Sequence, residues 1–165
     1  MRSERINFLA VVTAVAGLTG FIGVYAKWFS YSYPVDGGTV TIYLDGTWDG
    51  TGAVALAAAI GALLFGCAYM LMSDPAIRRI VVLLMVISSV LLFLSSAFGF
   101  IRVDDAVSDA PPMPGATGTA FTAMVAIGLF ISLLSGVLAT VASVLLVIRR
   151  VSGQEEELAT AIDAV

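Results

Sequence analysis

The amino-acid sequence predicts an all-α membrane protein, a bundle of four transmembrane helices with a small β-hairpin between the first and second helices. Three observations lead to this prediction. The 165 residues are 59% hydrophobic and 12% charged, and the charged fraction is about half that of a typical soluble domain. Four windows contain no Asp, Glu, Lys or Arg, namely residues 6–26, 50–73, 80–101 and 110–148. Between the first two windows, the polarity of the side chains alternates with a period of two residues.

Each uncharged window is long enough for one span, because a helix needs about 20 residues to cross a hydrocarbon core of about 30 Å. The first window could instead be a secretory signal peptide, but its apolar run exceeds the usual length of roughly 7–15 residues. We therefore expect it to be retained. The predicted membrane domain is residues 1–150, followed by a tail at 151–165, with spans at about 6–26, 51–72, 80–101 and 119–148.

The hairpin is predicted at residues 28–45. Phe29, Tyr31 and Tyr33 alternate with Trp28, Ser30 and Ser32, and Val40, Ile42 and Leu44 alternate with Thr39, Thr41 and Tyr43. Alternation of β-branched and aromatic residues is typical of strands. We expect Pro34 to end the first strand and Asp36-Gly37-Gly38 to form the turn. Because a lone hairpin is marginally stable, it should rest on the bundle, on an outward extension of the long fourth span, or on a partner.

Small residues recur every fourth position on two spans, which is the spacing of one helix face. Such faces let helix backbones approach closely where lipid supplies no hydrophobic drive. Two interpretations stay open, packing inside the bundle and association with other subunits. The candidate packing residues are Ala58, Ala62 and Gly66 on the second span and Gly128, Ser132, Gly136 and Thr140 on the fourth.

The cations predict the orientation. Only Lys27 and Arg102 lie on the hairpin side, whereas the other side carries Arg2, Arg5, Arg78, Arg79, Arg149 and Arg150. The positive-inside rule then places both termini in the cytoplasm of a cell-membrane protein. The hairpin and the second outer loop, an irregular coil rich in Pro and Gly, become acidic and extracytoplasmic. That acidity could reflect salt adaptation, cation attraction or solubility. The absence of a basic face excludes nucleic acid as a partner.

No catalytic, cofactor or metal motif stands out, so we expect no enzyme and no cofactor. Histidine is absent, Cys67 is the single cysteine, and the spans lack the ionisable groups that proton relays and ion-coupled transport use. Asp45 and Asp49 supply too few oxygens for calcium, which takes about six to eight. Asp104, Asp105 and Asp109 are interpreted as a solvated acidic loop.

The tail leaves two alternatives. Ser152 and Glu155 stand at the spacing of a capping box, and Leu158, Ile162 and Val165 would share one face of a short docking helix. A frayed, solvated tail is the favoured alternative.

The aromatic residues of the first outer loop are its candidate contact residues: Trp28, Tyr31, Tyr33, Tyr43 and Trp48. Trp28 and the element Gly46-Thr47-Trp48 are similar to the Trp and Gly-x-Trp of claudin-type tetraspans, although the paired cysteines of that family are absent. The resemblance implies four spans, cytoplasmic termini and a β-bearing first outer loop. The chain also resembles small prokaryotic four-span proteins of unknown role.

These features predict a non-enzymatic tetraspan in the lipid bilayer, a structural, scaffold or accessory subunit. Its helix faces and outer hairpin would contact a membrane-protein partner or a second copy. The alternative is an oligomeric channel or small-solute transporter lined by Ser and Thr of the third and fourth spans. A third hypothesis is a lipid-modifying enzyme that uses the Asp residues of the outer loops.

Overall fold

A computed structural model of the protein describes residues 2–48, 50–103, 112–118 and 122–163, and side chains within 8–47, 50–103, 112–118 and 122–152. Over these residues the predicted fold class is confirmed, with four long apolar helices and a small antiparallel sheet. In chain order the elements are α1 (Arg2–Tyr25), β1 (Lys27–Val35), β2 (Gly38–Asp45), a 3-10 turn (Gly46–Trp48), α2 (Gly50–Leu71), α3 (Pro75–Ile101), β3 (Thr122–Val125) and α4 (Ile127–Asp163).

The four helices of the described chain form a ring in which α1 packs on α2 and α4, and α3 packs on the same two helices. Inside the ring lie mostly small side chains, such as Ala59, Ala62 and Ala139, whereas Leu64, Leu83 and other large apolar side chains point outward. An apolar outer surface on helices of this length is what a hydrocarbon solvent requires. The protein is a multi-pass membrane protein.

The fourth span begins later than the sequence predicted. The helix was expected from residue 119, but α4 begins at Ile127, and Thr122–Val125 forms a third strand. In the described sheet the strand order is β2-β1-β3, with β1 antiparallel to both neighbours. The segment is uncharged and apolar, so hydropathy cannot distinguish it from the helix that follows. Pairing with β1 decides the outcome, because it satisfies backbone groups that would otherwise lie along an open edge.

The extra length of α4 lies at its far end. It does not project past the sheet as a wall, because it starts beside β1; instead its backbone continues through the tail to Asp163, 37 residues in all, or about 55 Å. The favoured frayed tail is therefore wrong for residues 151–163. Extending an existing helix needs no new nucleation, and Glu155–Ala159 are mostly strong helix formers. The docking face at Leu158, Ile162 and Val165 lies outside the described side chains.

The bundle has two ends that differ in construction. We call the end that carries β1, β2 and β3 the sheet end, and the end that carries the α2–α3 turn the arginine end. At the arginine end, Asp74 caps α3, with Oδ1 accepting from the backbone N–H groups of Ala76 (2.7 Å) and Ile77 (3.2 Å). Pro75 follows at the first helical position, where its missing N–H interrupts no helical hydrogen bond.

The β1–β2 turn departs from the prediction at Pro34. Pro34 does not end β1 but pairs with Thr39, and the strand continues to Val35. The position tolerates proline because β3 pairs only with residues 29–32, so the missing N–H interrupts no ladder on that side. In the turn itself, Gly37 has a positive φ of 89°, a conformation that glycine adopts without steric penalty.

Candidate functional site

The described sheet has one face against the bundle and one face away from it. Residues directly opposite each other on paired strands share a face, and Phe29, Tyr31 and Tyr33 stand opposite Leu44, Ile42 and Val40. The buried rings of β1 pack into a core cluster with Val24, Ala55 and Leu129 of the helices. The bundle therefore supplies the support that the hairpin needs, and β3 extends that support to the other edge of β1.

Trp28 fixes the start of the sheet to the helices. The alternating pattern placed it beside Ser30 and Ser32, but a bulge between Lys27 and Phe29 shifts the register, and its side chain is fully buried. The indole Nε1 donates to the carbonyl oxygen of Gly23, 3.0 Å away. A bulge re-aims one side chain without reversing the whole strand. Trp28 is thus an anchor of the sheet, and its side chain is not accessible in the described structure.

Glycine makes the space that Trp28 fills. A Cβ on Gly46 would lie 2.5 Å from Cε2 of the indole, and a Cβ on Gly99 would lie 3.6 Å from its Cζ3. Gly46 also lies against the first turn of α2. A Cβ on Gly52, in that turn, would overlap the carbonyl oxygen of Gly46. The 3-10 turn is therefore clamped between the Trp28 ring and α2. The side chain of Trp48, at the end of this turn, lies outside the described residues.

Tyr31 and Tyr33 are also buried inside the molecule. Burial raises the pKa of the Tyr33 phenol, because the charged phenolate would lose its hydration. Met113 and Ala116, from the coil that precedes β3, pack against the same cluster. In that coil the Thr117 backbone N–H donates to the Pro34 carbonyl oxygen at 3.0 Å. The described part of the second loop is thus a cover for the buried face of the sheet.

The face turned away from the bundle is polar with one exposed ring. Tyr43 of β2 is 53% exposed, and Lys27 Nζ lies 3.9 Å from the centre of its ring, in a cation–π contact. Beside it, the hydroxyls of Ser32 and Thr41 lie 3.3 Å apart. β2 is an edge strand of the described sheet, and its side chains from Gly38 to Thr41 are exposed. Of the five aromatic residues predicted as outer-loop contacts, Tyr43 is the one that the structure describes as accessible.

The small-residue face of α4 lies inside the bundle. A Cβ on Gly128 would lie 2.7 Å from the carbonyl oxygens of Gly23 and Lys27, and one on Gly136 would lie 2.6 Å from Phe93 Cα. Ser132 is fully buried beside Gly23. Thr140 is half-buried, on the same face. These residues bring α4 against the end of α1 and against α3. Their close contacts are therefore with helices of the same chain.

The small-residue face of α2 has the same use. A Cβ on Gly66 would lie 2.9 Å from the backbone nitrogen of Ala14 on α1, and Ala58 and Ala62 are buried. From the other side, a Cβ on Gly17 would lie 2.5 Å from the backbone nitrogen of Leu63. Of the two interpretations left open by the sequence, these contacts match packing inside the bundle.

The acidic residues of the loops do not converge in the described structure. Asp45 Oδ1 accepts from the backbone N–H of Thr47 at 2.9 Å and from its hydroxyl at 2.5 Å. This arrangement closes a local turn. The other predicted acidic residues, Asp49, Asp104, Asp105 and Asp109, lie outside the described residues. The sequence did not predict the cation–π contact of Lys27 or the packing of Gly46 on the Trp28 ring, although the Gly-x-Trp element includes Gly46.

Comparisons with known proteins indicate no function, so the function is inferred from the geometry described above. No family model matches the chain, and no curated protein matches it. The likeness to claudin-type tetraspans stays a prediction. The candidate functional site is therefore the edge strand β2 with its exposed face, held in place by the buried strand β1.

Proposed function

We propose that the protein is a non-enzymatic structural or accessory subunit that offers the edge strand β2 to a membrane-protein partner. The observation that carries the proposal is the combination of an exposed edge strand with an immobilised neighbour. An edge strand presents a row of backbone N–H and C=O groups to which a further strand can add. Because β1 is anchored through Trp28 and covered by the second loop, β2 offers these groups in a fixed position, which lowers the entropy lost on binding.

The proposal narrows the hypothesis drawn from the sequence. The small-residue faces of α2 and α4 are in use inside the bundle, so partner contact is assigned to the sheet and not to a helix face. Tyr43 suits such a role, since tyrosine gives a large contact area with few rotatable bonds. Its ring is already oriented by Lys27. We expect Tyr43 to be the main side-chain contact and β2 to supply the backbone contacts.

The proposed orientation places β2 outside the cytoplasm. Its support is the distribution of cations, six arginines at the arginine end against Lys27 and Arg102 at the sheet end. In a cell membrane this puts both termini in the cytoplasm. Labelling of single cysteines with a membrane-impermeant reagent tests it. Cysteine at Thr39 should react in intact cells, whereas cysteine at Ser73 should react only after permeabilisation, in a background that lacks Cys67.

The binding proposal is tested with two matched substitutions. Thr41 on β2 and Thr122 on β3 both stand opposite Ser32, so Thr41→Lys and Thr122→Lys place the same charge on the two edges of the sheet. Lysine on an edge strand hinders the addition of another strand. In mild detergent, we expect Thr41→Lys to abolish the co-migration of a discrete partner or second copy, while Thr122→Lys preserves it. A clean monomer in several mild detergents, or equal loss with both variants, would contradict the proposal.

The oligomeric channel or transporter remains the second candidate. One observation favours it: within the described residues, the buried hydroxyls of Ser96, Ser132 and Thr140 have no hydrogen-bond partner, and a polar path needs such groups. The close approach of α4 to α3 at Gly136 argues against a path through one protomer. Flux of a small solute into liposomes that contain only the purified protein would favour the channel over the structural subunit.

A further inference from the structure

A groove between α3 and α4 lies at the arginine end, far from the sheet. Its volume is about 470 Å³, and its walls are apolar, formed mainly by Val82, Leu83, Val86 and Val147. Arg79 and Arg150 line its outer end. Val86 lies seven residues further along α3 than Arg79, which is about 10 Å deeper along the helix. The groove therefore runs from two cationic side chains down an apolar surface.

Arg150 is held in position with hydrogen-bonding capacity to spare. Its Nη2 donates to the carbonyl oxygen of Pro75, at 3.0 Å, which ties α4 to the start of α3. Its Nη1 is buried and has no hydrogen-bond partner among the described residues. A buried donor on a charged group is unfavourable when it has no acceptor. Asp74 is the described acidic residue nearest to Pro75 in the sequence. Its carboxylate caps α3, where it accepts from backbone N–H groups. Among the described residues the charge of Arg150 therefore has no counter-ion, and this charge lies beside Arg79 in the lining of the groove, which suits an anion that enters from outside the chain.

We propose that this groove binds an anionic phospholipid, with the phosphate at Arg79 and Arg150 and one acyl chain along the valine wall. Guanidinium groups bind phosphate oxygens through paired, charge-assisted hydrogen bonds. Basic pockets between transmembrane helices are known to hold anionic head groups. A free anion would leave the apolar wall unused, and a zwitterionic lipid would bring the cation of its own head group close to both arginines, which repel it. An amphiphile with a phosphate head matches both parts of the groove.

The test uses the full-length protein, stripped of lipid in a neutral detergent and titrated with phosphatidylglycerol, with bound lipid counted by native mass spectrometry. Phosphatidylcholine of the same chain length shares the acyl chains and the phosphodiester, so it tests whether the net negative charge of the head group is required. Inorganic phosphate tests whether an anion binds without the acyl chains. We expect phosphatidylglycerol to bind in preference to phosphatidylcholine. Inorganic phosphate at equal concentration should not displace it. Displacement by inorganic phosphate would overturn the lipid assignment in favour of a simple anion site.

Two substitutions locate the binding in this groove. Arg79→Gln removes an exposed arginine that lines it, and Arg149→Gln removes an exposed arginine that does not. Both change the net charge equally. Loss of the charge-assisted bonds of Arg79 should weaken phosphatidylglycerol binding about tenfold, whereas Arg149→Gln should leave it unchanged. Equal effects of the two variants would mean general surface attraction and would overturn the proposal.

A third variant tests the apolar wall while both arginines remain. Val86→Trp fills the groove at its deeper part, and thermal unfolding checks that the variant is folded. Phosphatidylglycerol binding should fall to the level of Arg79→Gln, because the acyl chain loses its place. Unchanged binding in folded Val86→Trp would refute the assignment of the chain to this wall and with it the lipid site.

Discussion

The sheet end and the arginine end of the bundle are stabilised in different ways. At the sheet end, Trp28, Gly46 and the strands interlock, and three segments distant in sequence meet in one core cluster. At the arginine end a second core cluster, which includes Tyr69, Met85 and Leu146, packs between the helices. The α2–α3 turn itself is held by a helix cap and by single hydrogen bonds from Arg78 and Arg150 to backbone carbonyls. Packed contacts lose more free energy on truncation than exposed hydrogen bonds do. Truncation within the interlocked sheet should therefore lower the stability more than loss of a contact in the α2–α3 turn.

The largest effect is expected for Trp28→Ala. The substitution removes a fully buried ring and its hydrogen bond to Gly23, and truncation of a buried Trp lowers the free energy of unfolding by about 3–5 kcal/mol. Thermal unfolding in detergent, followed by circular dichroism, measures the loss. The control is Tyr43→Ala in the neighbouring strand, where an exposed ring and one cation–π contact are worth about 1 kcal/mol or less. Equal losses in the two variants would contradict the difference between the buried strand β1 and the exposed strand β2.

A smaller effect is expected for Gly128→Ala, which tests the junction between α4 and the sheet. The new methyl group would meet the carbonyl oxygens of Gly23 and Lys27 at 2.7 Å, and overpacking of this kind lowers the free energy of unfolding by about 1–3 kcal/mol. Gly50→Ala is the matched control, because a Cβ there meets no atom within 4 Å. Thermal unfolding of both variants measures the difference. If Gly128→Ala is as stable as Gly50→Ala, the junction is looser than its geometry indicates.

The smallest effect is expected at the arginine end, for Asp74→Ala. Loss of the cap of α3 lowers the free energy of unfolding by about 1 kcal/mol. Hydrogen exchange at the amides of Ala76 and Ile77 should speed up, because both donate to Asp74. Asp74→Asn keeps a capping side chain and should behave like the native protein. A loss as large as that of Trp28→Ala would reverse the proposed order of the two ends.

The sequence was sufficient for the parts of the fold that depend on local pattern. Uncharged windows predict the four spans, and period-two alternation predicts β1 and β2. β3 could not be predicted, because four uncharged residues before a helix are too few to show a period of their own and pair with β1 only in the folded chain. The spacing of Gly128 and Gly136 predicts close contact but not the identity of the contacting helix. The candidate site was predicted only in part. The bulge at Trp28 turns one aromatic side chain inward that the alternation placed on the polar face. Tyr31 and Tyr33 are buried by packing against the helices and the second loop.

The pairing of β1 with β3 has a consequence for how the protein is made. Ser30 on β1 and its partner Met124 on β3 are 94 residues apart in the chain. At ordinary rates of translation, this separation corresponds to about 5–20 s between the emergence of the two strands from the ribosome. The hairpin must wait for that interval with one edge unpaired, and a nascent chain that stops before Thr122 never receives its third strand. Completion of the sheet thus reports that synthesis has passed the third span and the second loop, whereas an unfinished sheet still exposes the backbone edge of β1.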